Sequence, residues 1–202
     1  MGRRSVRSFV ENVKQMLNDE FSGRYFESEN DAEIIKSWFK INVPVQWVHY
    51  FFEKNKEELP ETFSLKDIND KFLKWFLRKK VSECVESDSW KFTHQRIRLI
   101  SEIVKTVLRV FSVRDEELAK RAKSLGEEKD LLKVEQELIK IEEELYEKLK
   151  ETEDGKSCWE FAQKNLEPFK DLWKEKVFVE SLQEVYRTCM KKKLKLPDFS
   201  VV

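Results

Sequence analysis

Between Ser5 and Ser22 the apolar residues Val6, Phe9, Val10, Val13, Leu17 and Phe21 recur every three or four positions. That spacing lines one side of a helix, and Gly23 stands where the chain would leave it. The same period returns in Ile34, Ile35, Trp38 and Ile41, and again beyond Val43-Pro44 in Val45, Val48, Phe51 and Phe52. Pro44 disfavours helical geometry at Val43 and suits the first position of a new helix, so residues 31–59 read as two helices around a tight corner. Trp47, His49 and Tyr50 broaden the second helix's apolar face, which implies burial on two sides or a surface kept for a partner.

Ser64 and Asp67 form a capping pattern for a helix over about 65–85, with Ile68, Phe72, Leu73, Trp75, Phe76 and Cys84 as its apolar positions. Ser87-Asp88-Ser89 is the expected soft boundary within a single helical domain 1–202, dividing an N-terminal subdomain 1–88 from a C-terminal bundle 89–202. A strongly apolar helix is expected over 90–111. Ser112 to Asp115 offers a cap for a restart that ends at Gly126. Residues 127–154 read as one long charged helix, with Leu131, Val134, Leu138, Ile141 and Leu145 on one line and Leu132, Ile139 and Tyr146 on a second. Asp154-Gly155 reads as a turn. A helix then reaches Pro168, and a last one leads to the basic and then apolar end KKKLKLPDFSVV. The pattern predicts an all-α, multi-helix bundle of about seven to nine helices.

Composition narrows the class. Only four Gly and four Pro interrupt 202 residues, and 39% are charged, so long solvated helices are expected around an aromatic-rich core. Lys and Glu dominate over Gln and Asn, a thermophile-like balance. Basic and acidic residues number 39 each, so any anionic partner must be met by a local patch. Cys84, Cys158 and Cys189 are widely spaced, without a Cys-x-x-Cys pair, and read as reduced core thiols of a cytoplasmic protein. No run of about 18 apolar residues exists, and no membrane partner is expected.

The common catalytic patterns are missing. Lys150 stands where a phosphate-binding loop before Gly155-Lys156-Ser157 would need glycine. Gln46 and Lys91 stand three residues before His49 and His94, where a bundle-type metal site would need Glu. No cofactor is therefore expected, and the chain reads as a non-enzyme. Four basic clusters are the candidate nucleic-acid contacts: Arg3, Arg4 and Arg7; Arg78, Lys79 and Lys80; Arg96 and Arg98; Lys191, Lys192, Lys193 and Lys195. They would meet phosphates if the fold joined two or three of them, or merely oppose helix dipoles if it did not. Leu196, Pro197 and Phe199 in the tail either fold back onto the bundle or dock on a partner protein.

Three segments carry a resemblance: EIIKSWFKINVPVQWVHYFFEKNKE, VEQELIKIEEELYEKLKE and YRTCMKKKLKLPDFSVV. They are similar to an uncharacterised family of small, mostly helical bacterial proteins, in which a Trp and a hydrophobic-Pro corner precede an aliphatic helix and the chain ends in Leu-Pro-x-hydrophobic-Ser. Trp38, Val43-Pro44, Val45, Val48, Leu196, Pro197 and Phe199 to Val201 carry the likeness here. The segment from Trp38 to Phe52 also resembles the DNA-remodelling domain of DnaD-type primosome proteins. The resemblance implies an all-helical bacterial protein without an obvious enzymatic role.

The expectation is a non-enzymatic binding or adaptor protein that contacts nucleic acid through local basic clusters. One alternative is a structural homo-oligomer joined through the 127–154 helix. A more remote one is an enzyme whose site, around His49 or His94, is assembled only by the fold. The corner 31–59 is not a DNA-reading element, because its second helix carries Trp47, Val48, Phe51 and Phe52 where a recognition helix needs polar side chains.

Overall fold

Ser5 opens the first helix, its hydroxyl accepting the Ser8 amide (3.1 Å). The computed structural model describes residues 5–200 and is all-helical, with nine α-helices among them. They are α1 (Val6–Glu20), α2 (Asp31–Lys40), α3 (Val45–Lys54), α4 (Leu65–Glu86), α5 (Thr93–Val110), α6 (Glu117–Ser124), α7 (Leu131–Leu149), α8 (Glu153–Leu166) and α9 (Glu175–Leu194). The chain forms two compact units, Met1–Phe76 and Leu77–Val202. Their division falls inside α4, not at Ser87–Ser89, where a short 3₁₀ turn, Asp88–Lys91, instead leads into α5. Pro and Gly mark loops, but a unit boundary inside a continuous helix has no such mark.

The first unit is an aromatic nucleus. Trp38 of α2 is fully buried, lies 4.3 Å from the Phe72 ring and donates its indole N–H to Asn69 Oδ1 (2.8 Å). Phe51, Phe52, Phe21 and Phe63 continue the cluster through edge and stacked contacts. The broad face of α3 is buried on one side and partly covered on the other: Val48, Phe51 and Phe52 face inward, while Trp47 and Tyr50 meet Trp75 at 6.3 and 6.0 Å with Tyr50 still 45% exposed. The corner is built as expected but one residue later, with Pro44 as the N-cap of α3. Asn42 takes positive φ, its amide bonds Phe39 O, and the Val43 amide returns to Trp38 O (3.0 Å). This pair of bonds closes α2 as a Schellman cap, and the buried Val43 and Trp38 supply its apolar contact.

Two polar ties in this unit escape sequence reading. Asp31 is wholly buried and its carboxylate accepts the Tyr25 phenol (2.5 Å), the Ser28 amide (3.2 Å) and the Ser28 hydroxyl. Burial, and then this bond, raise the Tyr25 pKa well above its ordinary value. Arg24 gathers the carbonyls of Lys56, Leu59 and Pro60, and a one-residue bridge pairs Tyr25 with Phe63.

The second unit is built on antiparallel hairpins. At the end of α5 Ser112 adopts positive φ, and its amide and that of Val113 bond Arg109 O and Leu108 O; beyond it Asp115, in the expected capping pattern, accepts the Glu117 amide (2.9 Å) at the start of α6. The chain therefore stops and turns rather than kinking onward. The charged helix α7 is shorter than the expected 127–154 because Asp130 caps it, accepting the amides of Leu132 and Lys133. Val134, Leu138, Ile141 and Leu145 are fully buried within the chain, whereas Leu132 and Ile139 are 72% and 48% exposed. Asp154 and Gly155 are not a turn but the first turn of α8, capped by Thr152, whose hydroxyl accepts the Gly155 amide (3.1 Å). Pro168 lies in a 3₁₀ turn after α8, where Phe169 stacks on Trp173 beside exposed Leu172.

Cys158 of α8 and Cys189 of α9 form a disulfide, with Cα atoms 5.6 Å apart. The expectation of three free thiols thus fails for two of them, because α8 and α9 pack face to face across 31 residues of sequence. Spacing alone does not reveal such a pairing. Cys84 remains free and buried, and burial raises its pKa, which suppresses the reactive thiolate.

Candidate nucleic-acid interface

The C-terminal end of α9 is a favourable place for three lysines in a row. Lys191, Lys192 and Lys193 sit in its last turn, where cations oppose the helix dipole, and Lys195 follows at positive φ as the left-handed cap. The Leu196 amide bonds back to Lys191 O (3.0 Å), turning the tail onto the unit. Leu196 and Phe199 are then buried, at 7% and 2% exposure, and Pro197 is half-buried. Of the two expectations for the tail, folding back onto the bundle is the one observed; docking of a partner through Leu196 and Phe199 is not available, because both are packed in the chain's own core.

Charged groups fix that tail. Lys191 lies 2.6 Å from Asp198 and 3.1 Å from Glu142 of α7. Burial pushes the Lys191 pKa down, but the two carboxylates outweigh it and the net shift is upward. At Glu142 burial is the larger effect and raises the pKa despite Lys191. Lys193 pairs with the buried Asp154 (2.8 Å) at the start of α8, and Arg187 with Glu143 (3.1 Å). Arg96 donates to Trp90 O (2.8 Å) and Ser200 O (3.2 Å), pinning the other end of the tail. Lys191, Lys193 and Arg96 are therefore structural ties. The distant partners Glu142 and Asp154 are not visible in the spacing of the sequence.

The remaining cations are arranged differently. Arg78 of α4 reaches across to donate to Lys193 O through Nη2 (2.8 Å) and Nε (3.2 Å). This contact brings the Arg78 to Lys80 run against the lysine-rich end of α9 and merges two of the four clusters. In the same two runs Lys79, Lys192 and Lys195 are exposed and have no ion-pair partner among the described residues. Arg98 stands apart on α5, 3.9 Å from Glu102. Arg7 belongs to the first unit, where it is exposed and paired with Glu11 (2.8 Å). Arg3 and Arg4 lie outside the described residues.

Elsewhere, a groove of about 360 Å³ in the first unit is lined by Ser8, Phe9, Asn12, Val45, Gln46 and His49. The imidazole of His49 is 2.8 Å from Glu20. Among the described residues no group of three or more His, Cys, Asp or Glu is placed to hold a metal ion, and no helix is long and apolar enough to cross a membrane. No family model, curated protein or solved structure matches the chain.

Proposed function

We propose that this chain is a non-enzymatic binding protein that contacts nucleic acid through its phosphate backbone, without reading sequence. The observation that carries the reading is the Arg78 bond to Lys193 O, which joins two basic runs more than a hundred residues apart into one face. Lys79, Lys192 and Lys195 belong to those two runs, are exposed, and can release counterions to a strand. The overall balance of 39 basic and 39 acidic residues provides no long-range attraction, so binding is local and strongly salt-dependent. The test is anisotropy of a labelled oligonucleotide. Affinity should fall steeply between about 50 and 200 mM salt, and the triple change Lys79→Ala, Lys192→Ala and Lys195→Ala should flatten the dependence by about 2 to 3 in slope. Absence of binding even at low salt would rule the function out.

A second reading is self-association as a structural oligomer. It is favoured by the outward line of Leu132 and Ile139 on α7, seven residues apart and both exposed. Light scattering at high concentration should then report a dimer that Ile139→Lys dissociates; a monomer throughout would remove this reading. The cytoplasmic setting expected for this protein loses one of its grounds, the unpaired thiols. A disulfide such as Cys158–Cys189 fits an oxidising compartment, or the cytosol of a hyperthermophile.

A further inference from the structure

We propose that the groove between α5 and α6 is a second contact for the backbone phosphates of a nucleic-acid strand; the inference rests on the function proposed above and adds to it a separate site. The groove has a volume of about 330 Å³ and runs along the crossing of the two helices. Its floor is set by small residues. Ser101 is buried and its hydroxyl donates to Ala119 O (2.7 Å), which brings the two backbones close and leaves the flanking longer side chains to form walls.

Both walls follow the same register. On α5 the lining residues are Arg98, Glu102 and Lys105, and on α6 with its N-cap they are Glu116, Lys120 and Lys123. Each set is spaced by four and then three, so each forms one row along a helix of roughly 10 Å. Four cations therefore face two carboxylates. Both carboxylates are engaged by arginines, Glu102 by Arg98 (3.9 Å) and Glu116 by Arg109 (3.6 Å). Lys120 has only a long, exposed pairing with Glu117 (3.8 Å), which is worth little. Lys105 and Lys123 have no ion-pair partner among the described residues. A concave site with like charges on both walls concentrates positive potential, and an anion relieves their mutual repulsion.

The shape of the charge selects the ligand. The ammonium groups are distributed along two rows instead of converging on one point, and the interior amides of α5 and α6 are committed to their own helices. Such a groove lacks the backbone cradle that grips a compact phosphate. It suits successive phosphates of an extended strand, held by side chains alone and without base readout. Arg98 was expected among the basic contacts from sequence; Lys105, Lys120 and Lys123 were not: Lys105 stands alone between Val104 and Thr106, and the short run Lys120-Arg121-Ala122-Lys123 meets it only when α5 and α6 fold together.

The experiment uses the full chain and a labelled single-stranded oligonucleotide, with helix content followed by circular dichroism. The variant Lys105→Ala, Lys120→Ala, Lys123→Ala should lower the slope of log affinity against log salt by about 2. A control that removes the same charge elsewhere, Lys156→Ala, Lys164→Ala, Lys170→Ala, should leave the slope within its error. An unchanged slope in the groove variant, with the slope still lowered in the Lys79, Lys192 and Lys195 variant, overturns this inference and leaves the proposed function standing. No oligonucleotide binding by the parent chain overturns both. Sodium triphosphate is titrated in parallel. Saturable triphosphate binding that the groove variant loses, with oligonucleotide binding unaltered, overturns the strand assignment in favour of a free phosphate compound.

Discussion

The phenol of Tyr186 on α9 donates to the main-chain carbonyl of Tyr146 on α7, 2.8 Å away and buried. That carbonyl lies in the last turn of α7, where the Lys150 amide goes to Glu147 O instead. Tyr186 thus satisfies a helix-end acceptor that water does not reach. Tyr186→Phe keeps the ring contacts with Tyr146 and Trp159 but strands the acceptor. A loss of about 1–2 kcal/mol is expected, read as a lower urea midpoint with unchanged slope.

Gly155 is required by a close approach. A Cβ added there would stand 1.9 Å from Leu149 O and 2.8 Å from Lys150 Cα, both backbone atoms that cannot swing aside. Gly155→Ala should therefore destabilise the α7–α8 junction by about 1–3 kcal/mol, although alanine is the better helix former. Gly126, whose added Cβ meets nothing within 4 Å, is the control, and thermal melts of the two variants make the comparison.

The Cys158–Cys189 bond makes a direct chemical prediction. Alkylation of the unfolded, unreduced chain should label one thiol, Cys84, and prior reduction should expose all three. Mass spectrometry reads the difference. Replacing both bonded residues by Ser should lower stability by about 2–4 kcal/mol, since closing a loop of this length restricts the unfolded chain.

Acid should weaken the second unit through its paired carboxylates. Lys148, 2.6 Å from Asp115, holds that carboxyl below its ordinary value of 3.8, and Arg121 likewise holds Glu137 below 4.5. Both folded pKa values are depressed, so their contribution is complete above the ordinary values and is lost as pH falls through the depressed ones. Glu142 runs the other way. Its pKa is raised above 4.5 by burial, so its ionisation costs stability as pH rises above that value. Denaturant midpoints measured across the acid range should fall towards low pH, and Lys148→Met should reduce that fall.

The hydrophobic period of the chain determined the helices, because a helix needs only a local pattern and a place to stop. The α1 stripe from Phe9 to Leu17, the Ser64–Asp67 box at the head of α4 and the Trp38–Pro44 corner are all readable from neighbours within a few residues. Caps were less legible. Asn42, Ser112 and Lys195 close helices at positive φ where glycine is the usual signal, and residues with side chains do not announce that role. Everything that depends on which helices meet was decided by tertiary structure: the Cys158–Cys189 bond, the burial of Leu196 and Phe199, and the joining of Arg78 to the end of α9. The physical reason is distance along the chain. Local pattern fixes what each helix presents on its faces, while the choice of facing partner is a property of the packed core and leaves no mark at either position alone.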